Sequence, residues 1–156
     1  MTSEIRRYKD HLTVSGAGVI VFSFWSLIKT MVYYMRPSVM ASLMEDMGLE
    51  FNKRDVALFL IAIFCTMAVI TAMRIYTGRA AIREGRSGKK GTVYIVLSFV
   101  LILESIYTIT GYVKQIEEVE NDVLFSSLLE EMVSILISCD LLFSVWKVRM
   151  SERGQG

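Results

Sequence analysis

The chain has 156 residues, 53% of them hydrophobic and 21% charged, with a mean hydropathy of +0.46 and a formal net charge of +1. Ordinary soluble domains are about 45 to 50% apolar with charge spread throughout, whereas here the charge is gathered into blocks between long apolar runs. That excludes an ordinary soluble domain and leaves a single small polytopic membrane domain over residues 1–156.

The first apolar stretch, 14–35, is long enough to cross a hydrocarbon core, which takes about 20 helical residues. It is too long for the apolar part of a cleavable leader, and no small-residue cleavage site follows Tyr33, Tyr34, Met35, Arg36 and Pro37. Ser15-Gly16-Ala17-Gly18 offers a small-residue patch for close helix approach, and Lys29 places a charge inside the stretch. Pro37 ends this span because it has no amide to continue the ladder and disfavours a helical residue before it. Val39, Met40, Leu43, Met44 and Met47 then recur at helical spacing opposite Ser42, Glu45 and Asp46, which predicts a short amphipathic helix on the outer surface.

The second span is expected over 56–76, followed by a basic loop at 77–91. If the helix runs on into that loop, Arg79, Arg83 and Arg86 share one face. Their guanidinium groups suit an anionic headgroup or phosphorylated ligand, and equally a solvated topology signal. Gly85, Gly88 and Gly91 are expected to break the helix. A phosphate loop is excluded, because Gly-x-x-x-x-Gly-Lys-Ser/Thr is not matched there. The third span, 92–113, carries Glu104 near its middle; the fourth, 123–148, carries Glu130, Glu131 and Asp140. Stretches of this length must be helical in lipid, because barrel strands are shorter and alternate. The expected fold is all-α: a four-helix transmembrane bundle with a short amphipathic outer helix in the first loop.

Threading follows from the basic residues. Arg6, Arg7, Lys9, Arg74, Arg79, Arg83, Arg86, Lys89, Lys90, Lys147, Arg149 and Arg153 share one side, against Arg36, Lys53, Arg54 and Lys114 on the other. The positive-inside rule puts both termini in the cytoplasm of a multi-pass cell-membrane protein. Tyr33, Tyr34, Tyr76, Tyr94, Tyr112 and Trp146 stand at span ends, where aromatic anchors are expected.

Counted inward from the outer ends of their spans, Lys29, Glu104, Glu130 and Glu131 lie roughly 9 to 14 Å deep. They are expected to form one intramembrane charge layer, with Lys29 compensating one carboxylate. Glu130 and Glu131 point about 100° apart, so one of them faces any given neighbour. Asp140 lies nearer the inner end and is expected to reach Arg74 or a hydrated vestibule. Such a layer can be a polar clamp that sets helix register, a proton or cation relay, or a site of enzymatic acid-base chemistry. Ser98, Ser105, Thr108, Thr110, Ser127, Ser134 and Ser138 are expected to bridge helices.

Other chemistries lack their residues. His11 is the one histidine and precedes the first span, which removes bis-histidine haem and histidine-rich metal sites. Cys65 and Cys139 form no Cys-x-x-Cys pair and read as small packing residues. Met31, Met35, Met40 and Met44 repeat a spacing that stacks thioethers, a weak Cu(I) pattern against ordinary packing. No nucleic-acid module is present. The expected function is a transport-type or accessory subunit, associated with membrane lipids and with a second copy or another membrane protein. The alternative is a membrane-embedded enzyme on a lipophilic substrate whose anionic group is held by Arg79, Arg83 and Arg86. No catalytic residue, metal or cofactor is assigned.

Overall fold

A computed structural model describes residues 3–46, 48, 53–114 and 121–153. Five helices follow in order: α1 Ser3–Tyr34, α2 Pro37–Asp46, α3 Lys53–Ser87, α4 Val93–Lys114 and α5 Asn121–Arg153. The described residues are 94% helical with no strand. Among the described residues, three helices are long and apolar enough to cross a membrane: Glu4–Tyr34, Arg54–Ser87 and Val93–Gly111. The helix α5 has the length, 33 residues, but carries Glu130, Glu131, Asp140 and Lys147 within it.

The helices overrun their apolar stretches at one end. Helix α1 starts well before Val14, and α3 continues through most of the expected loop to Ser87. Gly88 stops it: at φ +68 it adopts the left-handed conformation, and its amide donates to the Glu84 carbonyl at 2.9 Å. The expected break at Gly85 does not occur. Pro37 separates α1 from α2 as expected, and occupies the first helical position, where a missing amide costs nothing. Within α2, Met40 is buried and Glu45 exposed, in line with an amphipathic helix. The side chains of Ser42, Leu43, Met44 and Asp46, and Met47 altogether, lie outside those described.

The four long helices pack side by side, α1 against α3 and α5, and α4 against α5 and α3. The most extensive contact, α1 with α3, is set by glycines. A methyl group on Gly16 would stand 2.7 Å from the Gly78 carbonyl oxygen, and one on Gly78 would stand 2.5 Å from that of Gly16. Farther along, a methyl on Gly85 would meet the Lys9 carbonyl at 2.8 Å. The small-residue patch is therefore used within the chain, with Gly18 also facing Ile137 of α5.

Burial is inverted relative to a soluble protein. Ser15, Ser23, Ser98, Ser105, Ser134, Ser138 and Ser144 are buried, while Val21, Trp25, Leu58, Phe64, Leu103, Phe125, Leu136 and Trp146 are exposed. Small hydroxyl residues let helices approach and bond within an apolar solvent, and large apolar residues face that solvent. Leu12, Val19, Ala81, Tyr94, Leu141 and Val145 form the main apolar cluster. Tyr94, 1% exposed, belongs to that cluster and is not an interfacial anchor. Tyr76 and Trp146 are exposed, and the side chain of Tyr112 lies outside those described. Cys65 and Cys139 are exposed on outward faces, so neither fills the interior. Met31 and Met35 line an apolar recess with Leu60, Phe64 and Met67, and Met35 is largely exposed.

Candidate functional site

The charges inside the apolar stretches resolve into separate stations along the helices. At the end away from the chain termini, Lys29 Nζ lies 2.7 Å from Glu130 Oε2 and donates to Ser127 Oγ at 3.3 Å. One turn farther along α5, about 6 Å by helical rise, Ser134 Oγ accepts from Ser105 Oγ at 3.4 Å. Next to Ser105, Glu104 Oε2 accepts from Arg74 at 3.3 Å. Glu104 is thus compensated by Arg74 rather than by Lys29, and the expected single layer is two ion pairs at different depths. The cause is register: α3 and α4 form a long hairpin turning after Ser87, which brings Arg74 level with Glu104.

Arg74 is 6% exposed, and its Nε is a buried donor without a partner among the described residues. It lines a cavity of about 10 Å³ with Ser134, Ser138, Val19 and Leu101, roughly the room one water occupies. Glu131 stands beside Ser105 and within the field of Glu104, Arg74 and Glu130. Its Oε2 is buried with no hydrogen-bond partner among the described residues. Among the described residues of this cluster, Lys29 takes Glu130 and Arg74 takes Glu104, so Glu131 is the carboxylate left over.

Asp140 does not reach Arg74. It is exposed, and it accepts a hydrogen bond from Ser15 Oγ of α1. The antiparallel α1–α5 register explains this, since Gly18 faces Ile137 one turn away. Of the expected bridging hydroxyls, Ser105, Ser127 and Ser134 link helices. Ser98, Thr108 and Thr110 bond to carbonyls of their own helix.

One centre has no counterpart in the sequence reading. Glu84, 1% exposed, turns into the interior, and Arg149 grips it bidentately, Nε to Oε1 and Nη2 to Oε2, both at 2.9 Å. The Gly91 amide donates to the same carboxylate at 2.9 Å, and Arg149 donates to the Gly91 carbonyl. The signal was faint: one acid among basic residues of 77–91, facing the second helix end that carries Arg149. Glu84 lies beyond the apolar stretch 56–76. Burial pushes its pKa up, but the bonds from Arg149 and Gly91 outweigh that and hold it below the ordinary carboxylate value. The ionised form is therefore the stabilising one: its contribution is complete above the unfolded-state pKa and is lost as pH falls through the lower folded value. Thermal unfolding in detergent should show this acid-limb loss in the natural protein, and Glu84→Gln should flatten it; an unchanged acid limb in the variant would show that Glu84 is not its source.

Comparison with known protein families, characterised proteins and solved structures finds no match. The chemistry must be read from the side chains. Arg79, Arg83 and Arg86 are all exposed on α3, as the helical reading of the loop predicts. His11 is exposed, and no group of three or more His, Cys, Asp or Glu among the described residues is placed to hold a metal ion.

Proposed function

We propose that this chain is a four-span membrane protein with both termini in the cytoplasm, working as a transport-type or accessory subunit that relays protons or cations. Helix α5 supplies the fourth span, its charged residues being tolerated where they turn toward Lys29, Ser105 and Ser15. The orientation rests on the twelve basic residues of one side against four on the other.

The observation that carries the relay is the buried Glu131 Oε2, unpartnered beside the Arg74–Glu104 pair. A purely structural clamp is best served by matched charges, because an extra buried carboxylate adds a desolvation cost without a compensating cation. A transferable proton needs the opposite: a carboxyl group with a free oxygen, near hydroxyls and a small polar cavity. Glu131 stands beside Ser105, whose hydroxyl bonds Ser134, and Ser134, Ser138 and Arg74 are the polar residues in the wall of a small, otherwise apolar cavity. Polar groups then continue toward the cytoplasmic end through Ser15 and Asp140.

The test is proton or cation flux in proteoliposomes carrying an internal pH or ion indicator. Glu131→Gln is expected to lower flux at least about 100-fold, the lower end of what a positioned proton-transfer group contributes, while leaving the helical content unchanged. Equal flux in the two proteins would exclude Glu131 as the relay and leave the charge pairs as packing.

A further inference from the structure

We infer that Arg79, Arg83 and Arg86 form a binding face for the phosphate of an anionic glycerophospholipid in the leaflet on their side. The inference rests on the membrane placement proposed above and on four structural facts. First, α3 stays helical to Ser87, so the three arginines project from one rigid rod and not from a loop. Spaced by four and three residues, they are neighbours on one face, with about 5 to 6 Å between their Cβ atoms.

Second, the roll of that rod is fixed. Gly78, Ala81 and Gly85 press onto α1, with Ala81 fully buried, and the arginines stand exposed on the remaining face. Rotating α3 to turn them inward would drive side chains into the Gly16 and Lys9 backbone.

Third, register sets their depth. Gly78 faces Gly16 and Gly85 faces Lys9, so Arg79 lies level with Ser15, just inside the apolar edge of α1, and Arg86 lies level with Tyr8 beyond it. The triad climbs about 10 Å along the axis, across the layer that phospholipid phosphates occupy. Arg79 extends outward toward that layer along its alkyl stem.

Fourth, the acid of this segment is withdrawn. Glu84 points into the interior, where Arg149 neutralises it, so it does not compensate the arginine face. Guanidinium forks match a phosphate bidentately, which a zwitterionic lipid also offers, but three exposed positive charges on one face discriminate in favour of a lipid with net negative charge.

The full chain in neutral detergent, given equal phosphatidylglycerol and phosphatidylcholine, is assayed by native mass spectrometry for retained lipid. Phosphatidylglycerol should be retained preferentially, and Arg79→Gln/Arg83→Gln/Arg86→Gln should weaken it about 100-fold, near fivefold per arginine at the membrane surface. Arg6→Gln/Arg7→Gln, at the same end on α1, should weaken it by clearly less than the roughly 25-fold expected for two arginines of the triad. No preference in the natural protein, or equal loss in both variants, overturns the inference. So does binding of inorganic phosphate as tight as that of the lipid, which would make the ligand a soluble anion. Resistance to alkaline carbonate extraction is measured on the same protein in membranes: insertion without lipid preference sinks this inference alone, and loss of insertion sinks the membrane placement too.

Discussion

Arg74→Leu is expected to destabilise the protein by about 3 to 5 kcal/mol, because it leaves buried carboxylates without their cation. Arg74 is 6% exposed and bonds Glu104 at 3.3 Å, and Glu131 lies in the same field. The loss should fall toward the lower end, since the Glu104 side chain is 34% exposed and retains some solvation. The informative comparison is the double variant Arg74→Leu/Glu104→Gln, which removes both formal charges of the pair. It should regain at least half of the loss, because most of the damage in the single variant comes from the stranded acid and not from the missing attraction. Reversible unfolding in mixed micelles measures both; a single variant within about 0.5 kcal/mol of the natural protein, the range of ordinary surface changes, would mean that Arg74 does not hold the cluster.

Gly78→Leu should be as damaging by a different route. The first atom of any side chain there would lie 2.5 Å from the Gly16 carbonyl oxygen and 2.6 Å from Ile20 Cγ1. A flexible side chain can swing away, but a helix carbonyl moves only with its helix. Even Gly78→Ala should cost about 1 to 3 kcal/mol, and Leu more, as α1 and α3 are forced apart. Gly111 supplies the contrast. It is exposed on α4 with nothing within 4 Å of an added methyl, so Gly111→Ala should be neutral or stabilising by up to about 1 kcal/mol through helix propensity. If the two alanine variants behave alike, the close crossing at Gly16 and Gly78 is not a determinant of stability.

Three of the four long apolar runs were legible because spanning length and hydropathy are local properties that need no partner. Pro37 and the helical character of α2 were legible for the same reason: proline acts on its own backbone and its immediate neighbours. The arginine face was readable from spacing once α3 was taken to continue. The pairing of Lys29 with Glu130 agreed with counting depth from span ends, because both lie near the same end of their helices. Glu104 went to Arg74 because the counting assumed that helix ends are flush, whereas α3 runs on to Ser87 and shifts the whole hairpin. Tyr94 misled for the same reason: it begins an apolar run, yet α3 and α1 extend beside it and bury it.

By itself, the sequence determined the all-helical class, the apolar stretches, the chain break at Pro37 and the identity of the residues that carry charge into apolar surroundings. The tertiary structure decided which charges meet. Register between helices is set where Gly16 meets Gly78 and Gly85 meets Lys9, by backbone contacts between residues far apart in the chain. No periodicity along one helix encodes that offset, and a shift of one turn moves every partner by about 5.4 Å. Together with the α3–α4 hairpin and the α1–α5 register, that offset gives Glu84 to Arg149, Glu104 to Arg74 and Asp140 to Ser15, and leaves Glu131 Oε2 buried without a hydrogen-bond partner among the described residues.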